Sequence, residues 1–346
     1  MNNRIISLLL FIITCLQVFS QAGTGVYQFL GLPASSRLAA MGSTNVSLRD
    51  NDINFAFQNP ALLTAETHNN LGLNMANYLA DIQFGSAIYG RNLGNNNYLG
   101  FGIQYVDYGI FKEATETNEI LGEFTAKDYA ISLMYARPIT EKISIGATLK
   151  PVYSVFERYT SYGLAMDAGV SYNNPKQLFS VGLVFRNMGT QFKGYYTDED
   201  GQHIEPLPFD IQLGFSKKFT HAPLRFSLTF VNLQQIDLSF RSTNQATELL
   251  NSTSTNADIS MFDMAFRHAI IAVEFVPSKN FYLTASYNHR RQQEMRMTGF
   301  KSAAGFSFGG GIKIYKFHVG FSRSQLQVGN YSNQFSITTA LNEFRL

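Results

Sequence analysis

From residue 70 to residue 344, the chain is made of short segments in which apolar and polar residues alternate. Between Lys142 and Pro151 the apolar residues Ile143, Ile145, Ala147 and Leu149 alternate with Ser144, Gly146, Thr148 and Lys150. Because successive strand side chains point to opposite faces, each segment has one apolar face and one polar or small face. The pattern predicts fourteen strands, over residues 70–78, 83–91, 97–108, 127–137, 142–155, 162–173, 179–189, 208–219, 224–234, 262–276, 281–291, 303–314, 316–326 and 333–344.

The connections between these segments alternate in length. Every second one is a short turn rich in Asn, Gly or Pro, at 92–96, 138–141, 174–178, 220–223, 277–280 and near Tyr315. The others include four long loops, at 109–126, 190–207, 235–261 and 292–302. A soluble β-sandwich also alternates apolar and polar residues, but it has no reason to collect long loops at one end. Short turns, long loops and an even strand count predict an all-β fold, an antiparallel up-and-down transmembrane barrel of the bacterial outer membrane. With the N-terminus on the periplasmic side, all four long loops face the cell surface.

Composition agrees with a barrel wall in lipid. Charged residues make up only 15% of the chain, which has 30 Phe and 18 Tyr but no Trp. Abundant aromatic residues suit the girdles that edge the lipid-facing band of such barrels. Beyond the N-terminus there is no apolar run of about 18 residues, which excludes a helical inner-membrane protein. A net charge of +2 gives no field that would attract nucleic acid.

Residues 1–20 have the pattern of a secretory signal peptide. Arg4 supplies the positive charge, residues 5–19 the apolar core, and Val18 with Ser20 suit cleavage before Gln21. A membrane anchor is the alternative, but the apolar stretch is short for a spanning helix. The single cysteine, Cys15, would leave with the signal, so the mature protein would have no thiol chemistry.

Residues 21–69 lack the two-residue period and contain signals for short helices. Asn59 can cap a helix that has Pro60 at its first position. A fourteen-stranded barrel is too wide for its own side chains to fill. Many predicted inward positions are also glycine: Gly100, Gly102, Gly146, Gly182, Gly214, Gly305, Gly309, Gly311 and Gly320. The sequence therefore predicts that residues 21–69 fold as a helical plug inside a barrel of residues 70–346.

Two motifs of this segment carry a family resemblance. The run from Arg37 to Thr44, which includes Met41 and Gly42, precedes Asn59-Pro60-Ala61 and then the fourteen strands. This arrangement resembles the FadL-like outer-membrane barrels and, within them, the PorV/PorQ branch of the type IX secretion system. The ending Asn342-Glu343-Phe344 favours the PorQ side of that branch.

The resemblance implies a non-enzymatic member of the attachment complex at the cell surface. Such a barrel holds a soluble PorZ-like partner there, beside the sortase PorU and the barrel PorV, in contact with membrane lipid and lipopolysaccharide. The wider FadL resemblance implies the alternative, a channel for hydrophobic small molecules such as long-chain fatty acids. Inward positions that are mostly Gly, Ser, Thr and Gln weigh against a lipid path.

The sequence contains no recognisable catalytic or metal-binding motif. Its six histidines lack the spacing of metal ligands, and neither a serine nucleophile elbow nor a phosphate loop occurs. A lipase or protease would need a serine and a histidine together, but Ser286 and His289 fall on opposite faces of one predicted strand. We therefore expect no enzymatic activity, no metal and no cofactor.

Two groups of residues at the long-loop end are candidate binding sites. The basic cluster concentrates positive charge that suits lipopolysaccharide phosphates or an acidic partner, and consists of Arg267, His268, His289, Arg290 and Arg291. Its alternative role is charge of the lumen at headgroup level. The aromatic-acidic loop is a candidate partner-binding loop, and contains Tyr195, Tyr196, Asp198, Glu199 and Asp200. Its alternative role is a solvated loop tip or a weak calcium site.

Overall fold

The computed structural model describes residues 25–78, 82–117, 119–198, 201–238, 260–295, 303–327 and 330–344. Fourteen antiparallel strands form a closed barrel, in which β1 closes against the last strand through the pair Asn70 and Ala340. The barrel strands are β1 (Asn70–Asn77), β2 (Gln83–Gly94), β3 (Asn97–Ala114), β4 (Ile120–Pro138), β5 (Ile143–Phe156), β6 (Tyr159–Asn174), β7 (Phe179–Lys193), β10 (Asp210–Lys218), β11 (Leu224–Phe230), β12 (Ala269–Ser278), β13 (Phe281–Asn288), β14 (Phe306–Ile314), β15 (Phe317–Gln327) and β16 (Asn330–Ala340). A separate hairpin of β8 (Thr197–Asp198) and β9 (Gly201–Gln202) lies between β7 and β10. The predicted fourteen-stranded barrel with a helical segment before β1 is confirmed.

The barrel wall has an apolar outer face and a polar inner face. Along β5, Ile145 and Leu149 are exposed, whereas Ser144, Thr148 and Lys150 are buried. An apolar outer face is what a wall bounded by acyl chains requires, since lipid offers no partner for polar groups. The alternation of apolar and polar residues in the sequence therefore shows which side chains face the lipid and which face the lumen.

In the part of the chain that the structure describes, helices are few and short. The α-helices are α1 (Ser36–Ala40), α2 (Met261–His268) and α3 (His289–Glu294), and 3₁₀ helices span Gln28–Gly31, Ile53–Phe57, Pro60–Leu62, Ala65–Thr67 and Leu341–Phe344. Within the described ranges, no helix has both the length and the apolar character needed to cross a bilayer.

One predicted long loop is wrong. Residues 109–126 do not form an open loop, because β3 continues to Ala114 and β4 begins at Ile120. The rings of Phe111 and Phe124 stack across this hairpin with their centres 5.2 Å apart. Cross-strand aromatic pairs of this kind stabilise antiparallel strands, which explains why the hairpin extends beyond the wall.

Three predicted strand ends are also wrong, since residues 262–268, 289–291 and 341–344 are helical. Ser260 caps α2 by accepting a hydrogen bond from the backbone N–H of Phe262, at 3.2 Å. Asn288 caps α3 by accepting from the backbone N–H of Arg291, at 3.1 Å. A side-chain cap satisfies a helical N–H that has no partner within the helix, and so favours helix over strand. The basic cluster therefore lies on two helices at the long-loop end and not on strands.

Residues 25–69 fill the lumen and are mostly buried. A Cβ atom added to Gly146 would lie 2.5 Å from the backbone nitrogen of Ala61, and one added to Gly182 would overlap the Val46 carbonyl oxygen. Seven of the nine predicted inward glycines face this plug, namely Gly100, Gly102, Gly146, Gly182, Gly214, Gly309 and Gly320. Two predicted inward glycines do not face it, since Gly311 lies against Tyr282 and Gly305 against Gln292. Small wall residues thus give the space that the plug backbone occupies.

The plug crosses the lumen from one end to the other. At the long-loop end, the backbone N–H of Val26 donates to the carbonyl of Pro206 at 3.1 Å. At the short-turn end, the N–H of Asn69 donates to the carbonyl of Gly90 at 2.7 Å. The sequence predicts that the N-terminus lies at the short-turn end. The start of β1 lies there, but the first described residues of the plug lie at the opposite end.

Candidate functional site

Arg37 on α1 ties the plug to the wall. Its side chain is buried, and its Nε donates to Oε1 of Glu274 on β12 at 3.0 Å. Its Nη2 donates to Oδ2 of Asp50 in the plug at 2.8 Å. Arg225 on β11 contacts the same two carboxylates, at 3.0 Å from Glu274 and 3.2 Å from Asp50. Two arginines and two carboxylates therefore form one closed ionic network, which we call the Arg37 network.

Aromatic rings complete the environment of Arg37. Its guanidinium carbon lies 4.6 Å from the ring centre of Tyr282 on β13 and 5.3 Å from that of Phe55 in the plug. Burial alone would raise the pKa of Asp50, but the charges of Arg37 and Arg225 outweigh it and hold the pKa well below its usual range. The pKa of neighbouring Asp52 is raised by burial, in spite of Arg37 at 3.6 Å. Asp50 is therefore ionised at neutral pH and locked to the two arginines.

The other motif residues shape the plug. Gly42 has φ +85° directly after α1, and a Cβ there would lie 2.5 Å from Ile270, while Met41 is fully buried. Asn59 donates from Nδ2 to the Val46 carbonyl at 2.9 Å and accepts from the N–H of Ala61 at 3.0 Å. Pro60 occupies the start of the helix that Asn59 caps. These residues fix the plug backbone against the glycines of the wall, and none of them presents a reactive group to a cavity.

A cavity of about 620 Å³ opens at the long-loop end, above the start of the plug. We call it the mouth pocket. It is lined by Gly25, Val26, Tyr27, Gln28, Tyr108, Asp128, Phe156, Tyr159, Tyr195, Tyr196 and Glu205. Six of these eleven residues are aromatic, so its surface is mainly apolar.

Hydroxyl groups and ring contacts hold the walls of the mouth pocket in place. Asp128 on β4 accepts a hydrogen bond from the Tyr108 hydroxyl at 2.6 Å and another from the Ser154 hydroxyl. The Ser154 hydroxyl also bonds the hydroxyl of Tyr195 at 2.7 Å. The ring centre of Phe156 lies 5.4 Å from those of both Tyr108 and Tyr195. The plug, four strands and one loop thus build a single preformed pocket.

The aromatic-acidic loop contributes only part of itself to this site. Tyr195 is half-buried in the mouth pocket, and Tyr196 lies at its rim, half-exposed and stacked on His203 with ring centres 5.3 Å apart. Asp198 pairs with Gly201 in the β8–β9 hairpin, whereas Glu199 and Asp200 lie outside the described residues. Sequence reasoning missed Tyr27, Tyr108, Asp128 and Phe156, because these residues come together only through the strand register and the path of the plug.

The structure brings the basic cluster together, but with partners from the protein. Asp263 accepts from Arg267 at 2.8 Å and contacts His289 Nε2 at 2.7 Å. Burial alone would raise the pKa of Asp263, but the hydrogen bonds and charges of His289 and Arg267 outweigh burial, and the pKa is lowered. Further partners are Glu294 for Arg290 at 2.6 Å, the Ser43 hydroxyl for Arg291 at 2.8 Å, and the Val231 carbonyl for His268 at 2.8 Å. These contacts tie α2 and α3 to each other and to the plug.

Comparison with solved structures finds the same fold in known transporters and channels. Similar structures are the toluene transporter TbuX of Ralstonia pickettii (12% identity, TM-score 0.51, 90% of this chain and 98% of that chain) and the toluene transporter TodX of Pseudomonas putida (13%, 0.52, 89% and 96%). The monoaromatic hydrocarbon channel CymD is similar to the same degree (13% identity, TM-score 0.52, 91% of this chain and 99% of that chain). No protein-family model and no curated protein matches the chain. The predicted fourteen-stranded barrel is confirmed, and it has the fold of these three structures.

Proposed function

We propose that the protein is a non-enzymatic outer-membrane channel that binds small hydrophobic molecules in the mouth pocket. The observation that carries this proposal is the preformed aromatic cavity at the long-loop end, whose volume suits a small organic ligand. The fold that the chain shares with toluene transporters supports it. In this orientation the long loops face the cell surface, as in other outer-membrane barrels.

Passage through this barrel requires a conformational step. The plug packs directly against the wall in the short-turn half of the lumen, where Ala61 lies on Gly146. A ligand bound in the mouth pocket therefore reaches the periplasm only if the plug shifts or the ligand leaves through the wall. Motions of this kind commonly limit the rate of transport and release.

Uptake by whole cells tests the channel. Cells that produce the protein should take up labelled toluene faster than cells with an empty vector, and Phe156→Ala should remove most of the gain. Phe308→Ala is the matched control, because Phe308 is an exposed ring on the outer face of β14. Equal uptake by producing and empty cells, with folded barrel present in the outer membrane, would contradict the channel.

We infer as a second candidate function an anchor of the type IX attachment complex, which holds a PorZ-like partner at the cell surface beside PorU and PorV. Exposed apolar side chains at the long-loop end favour it, since Met261 and Phe262 on α2 are 87% and 80% exposed. Aromatic residues in such positions are common anchors of protein interfaces. The basic cluster would face lipopolysaccharide or an acidic partner in this arrangement.

Retention of the partner at the cell surface tests the anchor. We expect the PorZ-like protein to be released into the medium when the barrel is deleted, and also when Met261→Ser and Phe262→Ser are combined. Leu341→Ser is a control at the short-turn end. The anchor is wrong if retention is unchanged in the deletion strain, whereas the uptake assay decides the channel independently.

A further inference from the structure

The mouth pocket combines aromatic rings with carboxylates. Its lining includes six aromatic residues and the acidic residues Asp128 and Glu205, but no lysine or arginine. The face of an aromatic ring carries partial negative charge, so rings and carboxylates here act in the same direction. The mouth pocket is therefore an apolar cavity with a negative electrostatic potential.

Asp128 is the most informative residue of this cavity. It is only 3% exposed, and its two hydrogen bonds within the described residues come from the neutral hydroxyls of Tyr108 and Ser154. The ion pairs formed by the described part of the chain include neither Asp128 nor Glu205.

Among the described residues, two other carboxylates are as deeply buried as Asp128, and each has a cation of its own. Asp167 lies 2.6 Å from the Nζ of Lys150, and Glu274 lies 3.0 Å from Arg37. A buried carboxylate without a cationic partner is costly, and a neutral ligand that displaced water from it would increase the cost. A positively charged ligand would offset that cost.

One ring at the rim already accepts a cation from the protein. The guanidinium carbon of Arg158 lies 5.2 Å from the ring centre of Tyr159, within the range of cation–π attraction. The rings of Tyr108, Phe156 and Tyr195 lie deeper, beside Asp128. An ammonium group in the mouth pocket would therefore meet aromatic rings and a carboxylate together.

We propose that the mouth pocket binds an organic cation, an ammonium group that carries apolar substituents. The inference deepens the proposed function, because it names the ligand class of the pocket that the channel proposal uses. Rings that surround an alkylated ammonium group are a known solution for binding such cations, and the cavity is large enough for one.

Calorimetry on the purified full-length barrel in detergent tests this inference. Choline is compared with 3,3-dimethylbutan-1-ol, which has the same shape but carries no charge. We expect choline to bind at least about tenfold more tightly than the neutral alcohol. Asp128→Asn should weaken choline binding by about tenfold or more and leave the alcohol unchanged.

Two further variants make the result specific. Phe156→Leu keeps apolar volume but removes a ring, and should weaken choline binding selectively. Asp107→Asn is the matched control, since Asp107 is a partly exposed carboxylate on neighbouring β3 that pairs with Lys127 at 3.5 Å. The gel mobility of unheated samples confirms that each barrel is folded. If Asp128→Asn fails to fold, Glu205→Gln takes its place.

The possible outcomes separate the two proposals. Equal affinity for choline and the alcohol overturns the cation inference but agrees with an apolar binding pocket. Binding of neither probe also overturns it, and the uptake assay then decides the channel. Selective binding of choline that is lost in Asp128→Asn and kept in Asp107→Asn supports it.

Discussion

At the scale of single residues, Arg37 links the plug to the wall through its ion pair with Glu274. Arg37→Gln removes three contacts to carboxylates and leaves Glu274 and Asp50 to Arg225 alone. Removing one partner from a buried ionic network costs about 3–5 kcal/mol, so the free energy of unfolding in urea should fall by that amount. Trypsin should also cut within residues 25–69 of the folded variant.

The control for this prediction is an arginine outside the network. Arg323 on β15 is exposed, and its guanidinium carbon lies 4.1 Å from the ring centre of Tyr331. Arg323→Gln should lose about 1 kcal/mol or less. Equal losses in the two variants would show that Arg37 has no special part in holding the plug.

Asp50 makes the network sensitive to acid. Its pKa is lowered in the folded protein, so its contribution to stability is complete above about pH 5 and is lost as the pH falls through and below the unfolded value of about 3.9. The raised pKa of Asp52 acts in the opposite direction, because the folded protein then binds its proton more readily. The difference in unfolding free energy between wild type and Asp50→Asn isolates Asp50. This difference should shrink between pH 5 and pH 2.5, and a constant difference would contradict the prediction.

At the scale of elements, α2 and α3 form a small unit at the long-loop end that depends on Asp263. Asp263→Asn weakens the pairing with Arg267 and His289 at once. We expect faster amide hydrogen exchange in both helices and little change in the barrel strands, with a loss below about 1 kcal/mol in global stability, since these ion pairs are partly exposed. Glu66→Gln, at the short-turn end, is the control. Unchanged exchange in α2 and α3 would contradict the role of Asp263.

The sequence predicts the strands of the barrel wall better than it predicts the residues at the ends of those strands. Lipid outside the barrel forces an apolar outer face, so β5 was predicted over 142–155 and is observed at Ile143–Phe156. The caps at Ser260 and Asn288 are visible in the sequence as helix-start signals, but alternation in their neighbours favoured strands. Local signals compete at strand ends, where lipid no longer decides the pattern.

The site was less predictable than the wall, for a geometric reason. Asp128 is one of several inward polar residues, and its sequence neighbourhood does not distinguish it from Ser132 or Ser154. What makes it a candidate binding residue is the arrival of Tyr27 from the plug and Tyr195 from a loop. Such contacts depend on register and on the path of the plug, which a single sequence does not specify.

At the scale of the whole molecule, the plug and the wall match in shape as well as in charge. Gly182→Ala would place a methyl group on the Val46 carbonyl, whereas a Cβ on Gly85 meets its nearest atom at 3.9 Å. We expect Gly182→Ala to lose about 1–3 kcal/mol of stability through overpacking. Gly85→Ala should differ from wild type by less than about 0.5 kcal/mol. Heat-dependent gel mobility measures both, and equal behaviour of the two variants would contradict the predicted match.

The closure of β1 on β16 gives the plug a part in assembly. The plug ends at Asn69, and Asn70 begins the strand that pairs with Ala340 near the other end of the chain. Once β1 and β16 have paired to form this seam, the wall surrounds the plug, and the buried side chains of the plug cannot leave between two strands. We therefore expect residues 25–69 to be in place before the seam closes, so that the sheet forms around them. A poorly packed plug would then leave an open sheet with two unpaired edges, and the damage would appear during barrel biogenesis, before any ligand arrives.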